Sequence, residues 1–318
     1  EALPGDGYVR VAAEAAGRTA KPLAILANLA SGVDRREAAL ARAAGVPVLE
    51  GTATGLAALA GLLARRDAAA ARAVPDPPPP APPEEVRARW RARLAAPGRL
   101  SELDGLALLA DYGIAVTPAL AVAGPDEAVA AAERLGWPVA LKTARPDLAH
   151  KSDAGGVRLG LAGPAQLAAA WAELAARLGP AMLVAAMAPP GVELALGVVR
   201  DPQFGPLVMV AAGGVLVELL RDRRFALPPL GPRAAARLLD RLAARPLLDG
   251  VRGGPAADLG AVAGAVARLS VLAADLGDEL EALDVNPLVA GPDACLAVDA
   301  LVLPRARGST ATPAAARS

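Results

Sequence analysis

Seven of the ten residues 74–83 are proline, four of them consecutive at 77–80. Each proline locks its own φ and removes a backbone donor, so this stretch can join neither a helix interior nor an inner strand. An extended spacer is predicted there. It divides the 318 residues into a short N-terminal part, 1–73, and a longer C-terminal one, with the spacer taken as 74–97. The second domain is predicted at 98–304 and a disordered tail at 305–318. With 54% hydrophobic residues the chain can fill two cores, although alanine is abundant and only 2% are aromatic. The cores must therefore rely on close backbone packing with leucine and valine.

In the N-terminal part, continuous apolar runs at 22–27 and 46–49 alternate with helical stretches. One helix is expected over 34–44, and another from a cap at Thr52 or Thr54 to about Arg65. Alternation of this kind predicts an α/β unit with a parallel sheet, about half of a doubly wound (flavodoxin-like) domain. Beyond the spacer, Ser101 can cap a helix whose first turn holds Glu102 and Asp104 and which stops at Gly113. Strands are expected at 119–123, 138–143, 182–186, 192–199, 207–210, 215–219, 283–289 and 294–301. Helices are expected at 126–135, 164–178, 232–243 and 259–276. This is an α+β pattern with antiparallel pairing.

A formal net charge of zero and a pI near 7.0 give neither a nucleic-acid-binding stripe nor a basic membrane patch. Cys295 is the one cysteine, so an internal disulfide is excluded; a reducing compartment suits it and a buried, inert thiol is expected. Residues 1–20 carry charges and no apolar signal region. The longest apolar stretch, 206–220, is interrupted by Gly213, Gly214 and Glu218, so no membrane span is expected there. A cytoplasmic protein is predicted. Because it begins at Glu1 instead of methionine, it is expected to be a fragment or a processed product.

Four groups of residues could carry chemistry. His150 is the single histidine, and Lys142 and Lys151 are two of only three lysines. Lysine binds phosphate as a point charge, and the following Gly155-Gly156 turn would let backbone N–H groups approach an anion. Two solvated lysines beside a plain hairpin turn would give the same pattern. In the second group, alternation puts Asp284 and Asn286 on one strand face, where a returning strand could bring Asp299. Carboxylate and amide oxygens are what Mg²⁺ accepts; a polar hairpin with Asn-Pro opening a turn is the alternative. The third is Glu193, able to hold ribose hydroxyls while the apolar segment ending at Met187 reads an adenine through its backbone, or simply an exposed strand residue. The fourth runs from Phe204-Gly-Pro206 through Gly213-Gly214 to Glu218 and Asp222, either a phosphate-facing loop or a tight turn.

In order and spacing, these groups resemble the ATP-grasp domain of the NDP-forming acyl-CoA synthetases (acetate–CoA ligase, ADP-forming). More distantly they resemble the nucleotide-binding subunit of succinyl-CoA synthetase. The resemblance runs through Leu109-Ala-Asp-Tyr-Gly-Ile114, Pro138-Val-Ala-Leu-Lys142 and His150-Lys-Ser-Asp-Ala-Gly-Gly-Val157. It continues in Gly191-Val-Glu193, Asp201-Pro-Gln-Phe-Gly-Pro206, Gly213-Gly214, Arg252-Gly253, and Asp284-Val-Asn-Pro287 with Asp299. It implies that Lys142 contacts nucleotide phosphates, Glu193 the ribose, and that Asn286 and Asp299 hold Mg²⁺. Gly155 and Gly156 would belong to a phosphate-covering lid, and His150 would be phosphorylated on the nucleotide side. The implied overall reaction is ATP + carboxylate + CoA = ADP + phosphate + acyl-CoA, with ATP or ADP and Mg²⁺ bound here and CoA a substrate of the complete enzyme. Residues 1–73 would be the end of a CoA-ligase (flavodoxin-like) domain.

Two departures from the family pattern are visible. The Ser-His-Thr-Gly-Ala-like segment of the ligase part and the CoA-binding domain are absent, so CoA-binding and ligase domains are expected as partners in cis or in trans. Ala211 stands where the family often has glycine. An ATP-grasp ligase with direct acyl-phosphate chemistry, or a regulatory nucleotide-binding module, are the competing functions. The acid, the choice of ATP or GTP, the direction and the oligomeric state have no signature in these residues.

Overall fold

The structure is a computed structural model; it describes residues 6–72, 74–96, 100–145, 148, 151, 154–214, 222–250 and 254–305. His150, the strand expected at 215–219 with Glu218, Arg252-Gly253, and the tail from 306 onward lie outside the described residues. The chain divides into two compact units, Glu1–Pro75 and Asp76–Ser318.

The first unit runs α1 (Asp6–Gly17), β1 (Ile25–Ala27), α2 (Arg35–Ala43), β2 (Val48–Glu50) and α3 (Thr52–Arg72). β1 and β2 pair in parallel, as the alternating runs predict. Asp34 caps α2 by accepting from the N–H groups of Arg36 (2.8 Å) and Glu37 (3.0 Å). α3 crosses closely over β1 at Gly55, where a Cβ would lie 2.3 Å from Leu26 Cδ1. This helix passes the expected end at Arg65, because the alanine-rich 66–72 favours helix and the first breaker is Pro75.

The second unit contains the extended prolines up to Pro83 and then a helix, α4 (Glu84–Ala95), where spacer is expected. Its apolar positions Val86, Trp90 and Leu94 are too sparse to announce it among so many charges. Pro83 at the N-cap and Glu84 and Glu85 in the first turn suit a helix start. Trp90 and Leu94 are buried in the main core, and Trp90 Nε1 donates to Asp111 at 2.8 Å. The spacer itself is anchored: Asp76 accepts from the N–H groups of Arg233 (3.1 Å) and Ala234 (2.7 Å), capping a helix 157 residues away.

After α5 (Glu102–Asp111) come β3 (Ala119–Val122), α6 (Pro125–Leu135), β4 (Val139–Thr143), β5 (Val157–Leu161), α7 (Pro164–Leu178) and β6 (Met182–Ala186). These strands form an antiparallel sheet in the order β3-β6-β4-β5. α6 and α7, each opened by Gly-Pro and closed by a left-handed glycine (Gly136, Gly179), pack against it. A smaller core of Leu141, Leu167, Leu174, Met182 and Val184 lies between.

The chain continues through β7 (Val192–Asp201), β8 (Gly205–Ala212), β9 (Arg223–Ala226), α8 (Pro232–Leu239), α9 (Arg245–Leu248), α10 (Leu259–Leu276), β10 (Leu280–Ala290), β11 (Cys295–Ala297) and β12 (Leu301–Pro304). A second antiparallel sheet has the order β11-β10-β7-β8-β9, with β12 also on β10. α10 is long and apolar enough to cross a membrane, but 61% of it is buried, and it packs on β7, β8 and α4 as the central core helix.

The strand expected at 294–301 is two. β11 and β12 pair with successive parts of β10 in one continuing register, Ala297 opposite Leu288 and Leu301 opposite Asp284. Pro287 has no N–H to offer, so the ladder lapses between them.

Asp76→Ala should lower the unfolding free energy of the second unit by about 1 kcal/mol, the worth of a helix cap. Denaturant unfolding of the full chain, followed by tryptophan fluorescence, measures it; all three tryptophans lie in that unit.

Candidate active site

The first-turn acid of α5 is buried. Ser101 and Asp104 form a reciprocal capping box, each side chain bonded to the other's backbone N–H at 3.1 and 3.0 Å, which sets the direction of the first turn. At Gly105 a Cβ would lie 3.0 Å from both the Cβ and the carbonyl oxygen of Ala300, so glycine lets α5 approach the β11–β12 break this closely without crowding. Glu102 is thereby carried into the protein between the two sheets.

Two lysines meet it there. β4 is buried along its whole length, and Lys142, one residue from its end, is only 4% exposed. Its ammonium donates to Glu102 Oε1 at 2.7 Å and to the Val298 carbonyl at 2.9 Å, and lies 3.9 Å from Asp299 Oδ2. Lys151 reaches the other carboxylate oxygen, Glu102 Oε2. A buried ammonium is tolerable only when its hydrogen bonds and its charge are both satisfied.

Asp299 sits in the gap between β11 and β12. Val298 N–H donates to Pro287 O at 3.0 Å, so the shared register runs on through the break and sets Asp299 opposite Asn286. Asp284 lies two residues along the same strand. Burial, and after it the nearby Glu102 carboxylate, raise the Asp299 carboxyl above the ordinary range, against the pull of Lys142 and Lys151. The three oxygen-bearing side chains singled out from the sequence are thus gathered on one hairpin, with Asn286 exposed and Asp284 and Asp299 half-buried. Such a hard-oxygen set suits Mg²⁺, which keeps waters and phosphate oxygens in the rest of its shell. Among the described residues no three His, Cys, Asp or Glu side chains cluster as a metal site by themselves.

The other expectations divide. Gly155 has φ +62°, and Gly156 N–H closes the turn on the Lys151 carbonyl at 2.7 Å. A Cβ on Gly156 would lie 2.8 Å from Thr143 Cγ2, and Thr143 N–H donates to its carbonyl, so this turn is pinned beside the end of β4. Arg177 and Arg158 hold the carbonyls of Ala154 and Gly155, each at 3.0 Å. Glu193, exposed on β7, lies under the Gly213-Gly214 pair: Gly213 N–H donates to its carbonyl at 2.8 Å, and a Cβ on Gly214 would meet its Oε2 at 2.5 Å. The third and fourth groups are therefore one feature at that point.

The other described residues of the fourth group are architectural. Asp201 accepts from Gln203 and Phe204 to close the β7–β8 hairpin. Asp222 caps Ala244 and pairs with Arg224. Met187 is 37% exposed in the connection from β6 to β7. Cys295 is buried, and burial pushes its thiol up to about 12, as an inert thiol requires.

Sequence reasoning missed Glu102 as a site residue. A glutamate after a serine cap is usually a solvated partner of the helix dipole; what could have marked it was Gly105 one turn on, in a leucine-rich face.

A family model described as an ATP-grasp domain matches residues 91–303. The ADP-forming acetate–CoA ligase II subunit beta of Pyrococcus furiosus is 35% identical over 213 residues, covering 64% of this chain and 88% of that subunit. The ADP-forming acetate–CoA ligase I of Archaeoglobus fulgidus is 39% identical over 203 residues, 61% of this chain, which span only 29% of that longer enzyme. Among solved structures, the acetyl-coenzyme A synthetase 1 of Ca. Korarchaeum cryptofilum superimposes with a TM-score of 0.60 at 36% identity, covering 69% of this chain and all of that one. That protein holds coenzyme A and Mg-AMPPCP, with a phosphohistidine segment pointing towards its nucleotide binding site. By the ordered site residues, the two antiparallel sheets and these matches, the chain belongs to the ATP-grasp family of the ADP-forming acid–CoA ligases.

Proposed function

We propose that this chain is the nucleotide-binding, phosphoryl-transferring part of an ADP-forming acyl-CoA ligase, acting through phosphorylation of His150. The observation that carries the proposal is the approach of Lys142 Nζ to Asp299 Oδ2, 3.9 Å, which brings the phosphate-binding cation and the metal-side carboxylate to one point between the two sheets.

In this reading Lys142 and Lys151 bind the phosphates, Glu193 holds the ribose, and the backbone before Met187 faces the base. Asp299, Asn286 and Asp284 hold Mg²⁺, which when bound neutralises charge on the phosphate oxygens. A neutral imidazole nitrogen of His150 attacks the γ-phosphorus as the bond to the β–γ bridging oxygen breaks, and ADP leaves with that electron pair. Stabilising the charge spread over the transferring oxygens is most of what such a transfer requires, and the lysines supply it. The phosphoryl group then passes to a carboxylate, and CoA displaces phosphate from the acyl phosphate. Those later steps need CoA-binding and ligase domains, of which residues 1–73 would be the end.

With γ-labelled ATP and Mg²⁺, the full chain should acquire acid-labile, base-stable label that His150→Ala lacks, while the variant keeps its Mg·ATP affinity. Equal labelling of both proteins would overturn the carrier role. Asp299→Asn should raise the Mg²⁺ concentration needed for half-maximal nucleotide binding by at least about tenfold, as loss of a metal-supporting group commonly does. Titration calorimetry at several Mg²⁺ concentrations measures this, and an unchanged requirement would remove Asp299 from the metal set.

A further inference from the structure

We propose that Glu102 is a positioning residue for phosphoryl transfer, holding Lys142 and Lys151 side by side so that their ammonium groups meet the transferring phosphoryl as a fixed pair. The inference rests on the phosphoryl-transfer reading above, in which Glu102 itself has no part.

The carboxylate is almost fully buried, its side chain 2% exposed, and its oxygens are divided between the two lysines, Oε1 to Lys142 and Oε2 to Lys151. The lysine side chains are 5% and 13% exposed, so neither charge is left to solvent. Stability alone does not call for such a cluster, since well-packed apolar residues usually replace buried ion pairs without loss. Two cations and the carboxylates of Glu102 and Asp299 instead balance in charge at the place where a polyanion would bind.

The three groups come from separate parts of the chain, and each backbone is held by its own hydrogen bonds or packing. Glu102 is set by the capping box and by the Gly105–Ala300 approach. Lys142 lies on a central strand between β5 and β6. Lys151 is tied back through Gly156 to Thr143, beside Lys142. What remains free is the pair of four-carbon lysine stems, and these are what Glu102 immobilises. Lysine is otherwise a mobile point charge, and two ammonium groups without an anion between them repel. Restraining them beforehand removes an entropic cost from the transition state, and a misplacement of about 1 Å can cost about 100-fold in rate.

With only three lysines in the chain, the bridge can be read directly. Trace amine modification of the full chain, quantified by mass spectrometry, should show Lys142 and Lys151 protected relative to the exposed Lys21. In Glu102→Gln, Lys151 should become several-fold more reactive. Undiminished protection of Lys151 would mean that something else holds it, and would overturn the bridge.

In single-turnover labelling at saturating Mg·ATP, Glu102→Gln should transfer about 100-fold more slowly, with its nucleotide dissociation constant changed less than about threefold. Glu102→Asp, which keeps the charge on a shorter stem, should recover part of the rate and also serves if the glutamine variant folds poorly. A purely structural role would instead lower affinity and rate together without rescue by aspartate, and that result overturns the proposal. So does a Glu102→Gln protein as fast as the wild type. A wild type that transfers no phosphoryl at all overturns the phosphoryl-transfer reading and this role with it, the lysine reactivities then describing the bridge alone.

Discussion

A lysine ammonium inside a protein must bring its counter-charge with it, and Lys142 does so by drawing together three parts of the fold. β4 carries the lysine, α5 supplies Glu102, and the break between β11 and β12 offers Val298 O and Asp299. Losing any of these would leave a buried charge short of partners, which typically costs about 3–5 kcal/mol when a buried pair is broken. The small sheet, the large sheet and the helix before them are thus held to a common point by electrostatics as well as by packing.

Around that point the large sheet is organised by β10. It pairs with β7 on one side and with both β11 and β12 on the other, so a lapse in the second ladder leaves the strand anchored by the first. Two polar residues face each other at the lapse, Asn286 on β10 and Asp299 opposite it, while Val298 still donates across it to Pro287 O. The same strand continues to Val289, which pairs with Glu193, and Glu193 supports the Gly213-Gly214 turn. One strand therefore links the candidate metal-side residues to the ribose-side candidate. At Gly105 and Gly156 a Cβ would crowd Ala300 and Thr143, at Gly213 it would strike the Glu193 backbone, and Gly214 is needed for its φ of +58°.

Much of this was legible in the sequence, for identifiable reasons. The helices 164–178 and 259–276 are found where their 3.6-residue periodicity and their Gly-Pro or Asp starts put them. β6 matches its apolar run residue for residue. Lys142 and Asn286 stood out in the sequence as rare residue types in apolar surroundings, and Asp284 and Asp299 as carboxylates among apolar neighbours. α4 escaped notice because its buried face is three residues wide among charges. The split of the last strand escaped because nothing in 294–301 itself breaks a strand; the interruption comes from Pro287 on its neighbour.

The sequence by itself determined the extended proline run, the order of most strands and helices, and the ordered motifs that mark the family. These rest on local chemistry: φ restriction, periodicity, caps and residue type. Only the tertiary structure decided that Glu102 is a shared counter-ion, that Asp222 caps a distant helix, and that Glu193 and Gly213-Gly214 form one feature. Each of these depends on which residues meet across 20 or more positions of chain, and a carboxylate in a helix's first turn reads the same whether it faces water or two lysines.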